Sequence, residues 1–310
     1  MKKKILIAAL TGAGLLLSST AGGSKALAAE TAPAPVAATL TINADPALWV
    51  IKDADTTIYL FGTVHVLKDN IKWFDGGVKA AYDASSEVVF ELDFSNPQAL
   101  QEAVMKMAID SDGPALTKKL GPDMAASLEK ALKDIGLPVA AFEKFEPWVL
   151  PIMMSSAVLM KEGYTPESGA EMQIAAALKK DGKTLGALET AEEQMGFFDS
   201  LPEAVQIAYL KSTIADLPKT GPVLGEMVAA WAKGNPEALD ALMNKAMLAT
   251  PELEKVLLND RNVRWAEWIE KRMAKPGTVF MAVGAGHLAG KNSVQEKLKA
   301  KKLTATRIPS

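Results

Sequence analysis

Apolar residues fall into two kinds of run along this chain. Near both ends they form short β-branched or aromatic stretches bounded by turn residues, and from about residue 97 to 275 the pattern is mostly helical. Leu48 to Lys52 and Thr57 to Phe61 flank Asp53-Ala54-Asp55, which predicts a β-hairpin. Glu87 to Leu92 (EVVFEL) predicts a buried strand, preceded by a helix around Val78 to Ser85. Lys183 to Leu188 (KTLGAL) follows a helix ending near Asp181-Gly182, Thr278 to Val283 (TVFMAV) follows Pro276-Gly277, and a last short strand is expected at Thr304 to Ile308. Asn96-Pro97, Asn235-Pro236 and Thr250-Pro251 each place a cap residue before a first-turn proline. Ser200 with Glu203 has capping-box spacing. Strands at both ends with helices between predict an α/β (α+β) fold whose sheet is assembled from distant segments around a large helical insertion.

The N-terminus changes how much of this chain is expected to fold. Lys2, Lys3 and Lys4 form a basic region, Ile5 to Leu17 is apolar but short for a membrane span, and Ala26-Leu27-Ala28 is a small-x-small cleavage site. This is the pattern of a bacterial secretory signal over residues 1–28, followed by an Ala/Pro/Thr-rich flexible leader at 29–45 and a domain at 46–310. A periplasmic or secreted protein is expected, with no membrane span after cleavage. Cleavage removes four lysines, so Lys+Arg falls from 34 to 30 against 37 acids, and the net charge moves from −3 to about −7. An acidic chain is a poor partner for nucleic acid, which demands a basic surface.

Composition narrows the chemistry sharply. The 310 residues include no cysteine, which excludes disulfides, thiolate metal sites and cysteine nucleophiles, and only two histidines. Methionines at 105, 107, 153, 154, 160, 227, 243 and 247 fall on the helical faces; without a dense Met-x-x-Met cluster for copper they are expected to fill the core. Trp73, Trp148 and Trp265 are likewise expected in the core rather than along a peptide groove.

The two histidines occupy matching places. Thr57 to His65 (TIYLFGTVH) and Val279 to His287 (VFMAVGAGH) are both apolar strands running into Gly-x-x-His, which suggests two related, pseudo-symmetric halves. Two further strands end in a carboxylate, Glu91 in VVFELD and Glu189 in LGALET. Ligands of α/β sheets bind outside the carboxyl ends of the strands. Two imidazoles and two glutamates are therefore expected at one cleft, with Gly62 and Gly284 letting the backbone turn sharply before each histidine. Without thiolate, imidazole and carboxylate are the ligands of a divalent ion, and a His/His/Glu set with an open position can activate water. Gly284 to Ala289 (GAGHLA) also matches a dinucleotide fingerprint, but the second strand and the acidic residue about 20 positions further on are missing.

These residues together resemble the TraB/PrgY/GumN family, which is related to the Tiki proteins. The resemblance rests on Leu48-Trp49-Val50, Leu60 to His65, Phe90 to Asp93, Gly182-Lys183 leading to Leu188-Glu189-Thr190 with Glu193-Gln194, Arg261-Asn262, and Gly284 to Leu288. It spans roughly residues 46 to 308 and implies a Tiki/TraB-type α/β fold and a metal-dependent hydrolase acting on a peptide or small amide. It further implies His65, Glu91 and His287 as ligands of manganese, cobalt or zinc. Glu189 is then the candidate general base or a fourth ligand. Arg261, one of only four arginines, orients a carboxylate or stabilises an oxyanion, and Asn262 orients a neighbour. Where relatives often carry Gly-Val-Asp, this chain has Gly169-Ala170-Glu171, so Glu171 is expected on the helix surface or behind the ligands. The alternatives are a protein that sequesters a peptide or pheromone without turnover, and a metal or haem carrier of related fold.

Overall fold

The computed structural model describes residues 40–247 and 251–310. The expected signal, most of the leader and the Thr250 cap lie outside the described residues.

The expected hairpin is present. Strands β2 (Leu48–Lys52) and β3 (Thr56–Thr63) pair antiparallel, and Asp53 caps the turn by accepting from the backbone N–H groups of Asp55 and Thr56. Strands β5 (Glu87–Phe90), β6 (Thr184–Ala187), β7 (Gly277–Gly284) and β8 (Thr306–Ile308) join them in one sheet ordered β6-β5-β7-β3-β2-β8. The four strands β6, β5, β7 and β3 run parallel, while β2 and β8 continue the sheet antiparallel. The two glycine–histidine strands are neighbours, in register from Thr56 opposite Gly277 to Thr63 opposite Gly284. The two glutamate strands lie together on one side of that pair.

Both faces of this sheet are covered, which is why its strands read as continuous apolar runs. Ile58, Leu60, Val89, Val279, Met281 and Val283 point to one face. There they meet Trp265, Ala266 and Ile269 of helix α12 (Asp260–Met273) and Leu298 of helix α13 (Val294–Ala300). Phe61, Val88, Phe90, Phe280 and Ala282 point the opposite way, into the larger core. Helix α1 (Gly76–Ala84) contributes Val78, Ala81 and Tyr82 to that core. The helical middle adds α2 (Pro97–Ala108), α3 (Leu116–Leu120), α4 (Pro122–Ile135), α5 (Val149–Lys161), α6 (Ala170–Asp181), α7 (Ala191–Asp199), α8 (Glu203–Asp216), α9 (Thr220–Ala232) and α10 (Pro236–Met247). One hydrogen bond locks this layer to the sheet: Trp231 Nε1 of α9 donates to the carbonyl of Gly62, 2.7 Å away. Met154, Met227 and Met243 are buried as filler, whereas Met160 is exposed. Trp73, Trp148 and Trp265 are all in the core.

Several local expectations change. Asn96 and Asn235 do cap their helices, accepting from the N–H groups of Ala99 and Ala238. Ser200 does not: it closes α7, and α8 starts at Glu203 without a side-chain cap. The capping box is instead Thr190 with Glu193, which opens α7 beside the end of β6. The last residues of the expected leader are tied down. Ile42–Asn43 forms a short strand, β1, parallel to β4 (Ile71–Lys72), and the backbone N–H of Asp45 donates to the carbonyl of Ala232. Helix α11 (Pro251–Glu254) runs through a π-helical turn, Lys255–Asn259, directly into α12. Such turns recur at functional sites because they re-aim the side chains beyond them.

The entry to α6 is set by a backbone-to-backbone contact. A Cβ added at Gly169 would lie 2.0 Å from the carbonyl oxygen of His65. Only a glycine lets the start of α6 close onto the segment after β3, where Ala170 N–H donates to the carbonyl of Val64. Gly169→Ala should therefore lower stability by about 1–3 kcal/mol through overpacking against rigid backbone. Urea unfolding of the two proteins measures this; an unchanged midpoint would contradict the close approach.

Candidate active site

Four parallel strands deliver the expected residues to one end of the sheet. His65 follows β3, Glu91 follows β5, Glu189 follows β6, and His287 sits in the 3₁₀ turn Ala285–Leu288 after β7. The backbone of Glu189 donates to the carbonyl of Glu91, so the strand pairing continues one step and sets the two carboxylates side by side. All four side chains are buried. Neither Gly62 nor Gly284 adopts a positive φ, so the expected sharp glycine turns are absent. Gly62 serves a different need: a Cβ there would sit 3.0 Å from the Cα of Ala285, in the turn that carries His287.

Arg261, on the first turn of α12, is fully buried and joins three of these groups, Glu91, Glu189 and His287. Its Nε and Nη2 fork onto Glu189, at 2.8 Å to Oε1 and 2.7 Å to Oε2, and Nη2 also donates to Glu91 Oε2 at 2.6 Å. Nη1 donates to the carbonyl of Leu257 in the π-turn and to His287 Nε2, each at 3.2 Å. All five N–H bonds of the guanidinium are thus used, the condition under which a buried charge is tolerable. The carboxylates are equally well supplied. Glu91 Oε1 accepts from the backbone N–H of Gly284, and Glu189 Oε1 accepts from Trp265 Nε1. Gln194 Nε2 bridges the Oε2 atoms of both. Arg264, half-exposed, approaches Glu189 Oε1 at 3.4 Å from the rim. The rings of Trp265 and Phe197 flank the Arg261 guanidinium at 4.8 and 5.5 Å.

These contacts set the protonation states. Burial pushes the Glu91 carboxyl up, but the Arg261 guanidinium and the Gly284 N–H outweigh it and hold its pKa down to about 2. Burial, reinforced by Arg261, pushes the His287 imidazole well below its usual range. Its tautomer is fixed by its partners: an arginine can only donate, so Nε2 carries the lone pair, and Nδ1–H donates to Asn262 Oδ1 at 2.6 Å. Asn262 is fixed in turn by donating to the carbonyl of Asn292.

Of the two places expected for Glu171, the helix surface or behind a candidate ligand, it occupies the second. It is not on the helix surface: it is 3 % exposed in the first turn of α6, with Oε1 2.5 Å from His65 Nδ1. The Gly169 contact brings it there. Gln194 and Trp265 also hold the cluster, and neither stands out for that role in the sequence; the Glu-Gln pair at 193–194, just after the Glu189 strand, is the signal that points to it.

The arrangement does not fit a divalent ion as it stands. The His287 lone pair and the Oε2 atoms of Glu91 and Glu189 are directed at the guanidinium, where a ligand cage would direct them at a metal. Among the described residues, no group of three or more His, Asp and Glu side chains is disposed to hold a metal ion.

The TraB/PrgY/gumN family profile matches residues 47–307. The chain belongs to that family. An Escherichia coli relative, the uncharacterized protein YbaP, is 25 % identical over 185 residues, covering 60 % of this chain and 68 % of YbaP. An uncharacterized protein of Treponema pallidum is 22 % identical, over 82 % of this chain and 80 % of its own length. The zebrafish (Danio rerio) metalloprotease TIKI1 is 23 % identical over 81 % of this chain, which spans 61 % of that protein. No solved structure matches the chain. No helix among the described residues is long and apolar enough to cross a membrane.

The charge states make a pH prediction. A histidine held neutral in the fold, with its pKa below the unfolded value of 6.5, adds stability that is full above pH 6.5 and falls as acid protonates the unfolded chain. Glu91, held down to about 2, adds stability present above its ordinary 4.5 and lost as pH falls toward 2. Stability should therefore decline in two stages, the first below pH 6.5. His287→Asn should flatten the first stage. Urea midpoints measured from pH 8 to 4 test this, and a wild-type stability flat from pH 7 to 5 would contradict it.

Proposed function

We propose that this TraB-family protein is a secreted or periplasmic hydrolase of peptide or other amide bonds, acting at the Arg261 cluster. The supporting observation is the cluster itself: a buried guanidinium shared by two carboxylates and a neutral imidazole at the carboxyl ends of four parallel strands. Perturbed titratable groups gathered at such a place mark functional sites more often than chance. A groove of about 400 Å³ between α2 and α7 approaches it; Asp93, Leu100, Leu188 and Glu193 line that groove, and Glu189 is the cluster member that reaches it.

The chemistry assigned to these residues is general-base hydrolysis. Glu189 takes a proton from water as the oxygen bonds to the carbonyl carbon. The developing oxyanion lies in the field of the buried Arg261 charge rather than in contact with it, because all five N–H bonds are already used, and the proton passes to the departing nitrogen as the C–N bond breaks. Glu91 keeps Arg261 in place, Asn262 holds the tautomer of His287, and Glu171 holds His65. The name of the TIKI1 relative, a metalloprotease, supports protease chemistry with a metal ion, for which manganese, cobalt and zinc are the candidates. Because the donors here are engaged by Arg261, no step is routed through such an ion. The signal-like N-terminus supports export.

The test is a peptide-library digest with the secreted protein, with and without added manganese, cobalt or zinc, read by mass spectrometry of new termini. Wild type should cleave, and Arg261→Lys or the His65→Ala/His287→Ala double variant should lose about 100-fold or more, the range for loss of preorganised electrostatic stabilisation. Peptide retention without new termini would replace this reading with peptide sequestration. Equal cleavage by the variants would remove the site.

A further inference from the structure

We propose that this protein holds its ligand as an added strand: an extended peptide carrying lysine or arginine pairs through its backbone with the outer edge of β6, beside the groove that leads to Glu189. The inference deepens the hydrolase reading and rests on it for one point, that the chain held there is the one cleaved.

Three observations carry this. First, β6 is the last strand of its sheet, with β5 on one side and no strand among the described residues on the other. The ladder fixes which of its backbone groups point outward. Thr184 and Leu188 donate their N–H groups to the carbonyls of Ser86 and Phe90, so every second residue of β6 is committed to β5. The residues between them, Leu185 and Ala187, turn their N–H and C=O groups away from the sheet. Two donors and two acceptors at strand spacing are the template that an incoming extended chain pairs with.

Second, this edge lacks the side chains that usually guard one. Thr184 and Ala187 are exposed, and Leu185 and Gly186 are half-buried. The strand contains no proline and no charge. Lys183, just before it, is folded inward: its Nζ donates to the carbonyls of Asp83 and Ser85 and lies over the Tyr82 ring. A lysine directed outward, the common device against strand addition, is therefore missing where β6 begins.

Third, the strand runs into the proposed site, and the charge beside it selects the ligand. Ala187 and Leu188 line the groove between α2 and α7. Glu189 lies two residues beyond Ala187, roughly 7 Å on at the rise of a strand. A peptide paired at Leu185 and Ala187 therefore continues past Glu189. Asp93, Glu192 and Glu193 line the same groove and are exposed, while no lysine or arginine lines it. Arg264 approaches Glu189 from the rim without entering that lining. A groove of one sign favours a ligand of the other. Backbone pairing thus supplies affinity, and the three acids select for basic side chains.

The test measures binding and cleavage separately. The probe is a fluorescein-labelled nonapeptide of alternating lysine and valine, with a glutamate-for-lysine version and a version methylated on the amide nitrogens of its five central residues. Binding is read by fluorescence anisotropy and new termini by mass spectrometry. Ala187→Pro deletes an outward N–H without touching the β5 ladder, because Ala187 donates nothing to β5. The Asp93→Lys/Glu192→Lys double variant reverses the charge of the groove.

Wild type should bind the lysine peptide at least about tenfold more tightly than the glutamate peptide, and the double variant should invert that order. Ala187→Pro should weaken binding at least about fivefold, the effect of leaving one partner of a backbone hydrogen bond unpaired. Methylating the peptide, which keeps every charge, should cost at least as much, and decides the matter on wild type if Ala187→Pro does not fold. This pattern without new termini would establish the added strand and overturn hydrolysis. Cleavage that Ala187→Pro and peptide methylation leave unchanged would keep the hydrolase reading and overturn the added strand. Failure of wild type to bind the lysine peptide, or equal binding of all three peptides, would also overturn it.

Discussion

Glu91, Glu189 and His287 at the carboxyl end of this sheet depend on one buried positive charge. Two glutamates on adjacent strands bring more negative charge into the interior than a protein core tolerates unpaired, and a single guanidinium with five donors satisfies both along with an imidazole and a backbone carbonyl. The rest of the local structure serves that contact. The β5–β6 pairing sets the carboxylates side by side, the π-turn aims Arg261, Asn262 from the next position turns His287 toward it, and Trp265 one helical turn on closes the last acceptor of Glu189.

Much of this architecture is legible in the amino-acid sequence. The strands read directly because both sheet faces are covered, so apolar runs of four to eight residues stand out against the helical middle. The scarcity of histidine makes His65 and His287 conspicuous, and the parallel pairing of β3 with β7 explains why two similar segments end at the same edge. The family resemblance extends over nearly the whole domain, and the profile match over residues 47–307 agrees with it.

What the sequence hides has physical causes. The sequence leaves Glu171 open between the helix surface and a place behind a candidate ligand; what decides for His65 is Gly169 docking α6 onto distant backbone, which periodicity does not encode. The glycines before the histidines read as turns, yet neither has a positive φ, and Gly62 is there for close approach to Ala285. Above all, Glu, Glu and His with a nearby Arg is the same inventory whether the arginine completes an ion-pair network or stands beside a metal. Only the direction of the lone pairs separates the two, and in this fold they point at Arg261.

That dependence is most directly measured by a double-mutant cycle for unfolding free energy, built from Arg261→Met, Glu91→Gln and the pair. A guanidinium that compensates the buried carboxylate predicts single variants losing about 3–5 kcal/mol each, with the double variant recovering a large part of that sum. Strictly additive losses would show that Arg261 and Glu91 do not balance one another, and would contradict the central role of the buried charge.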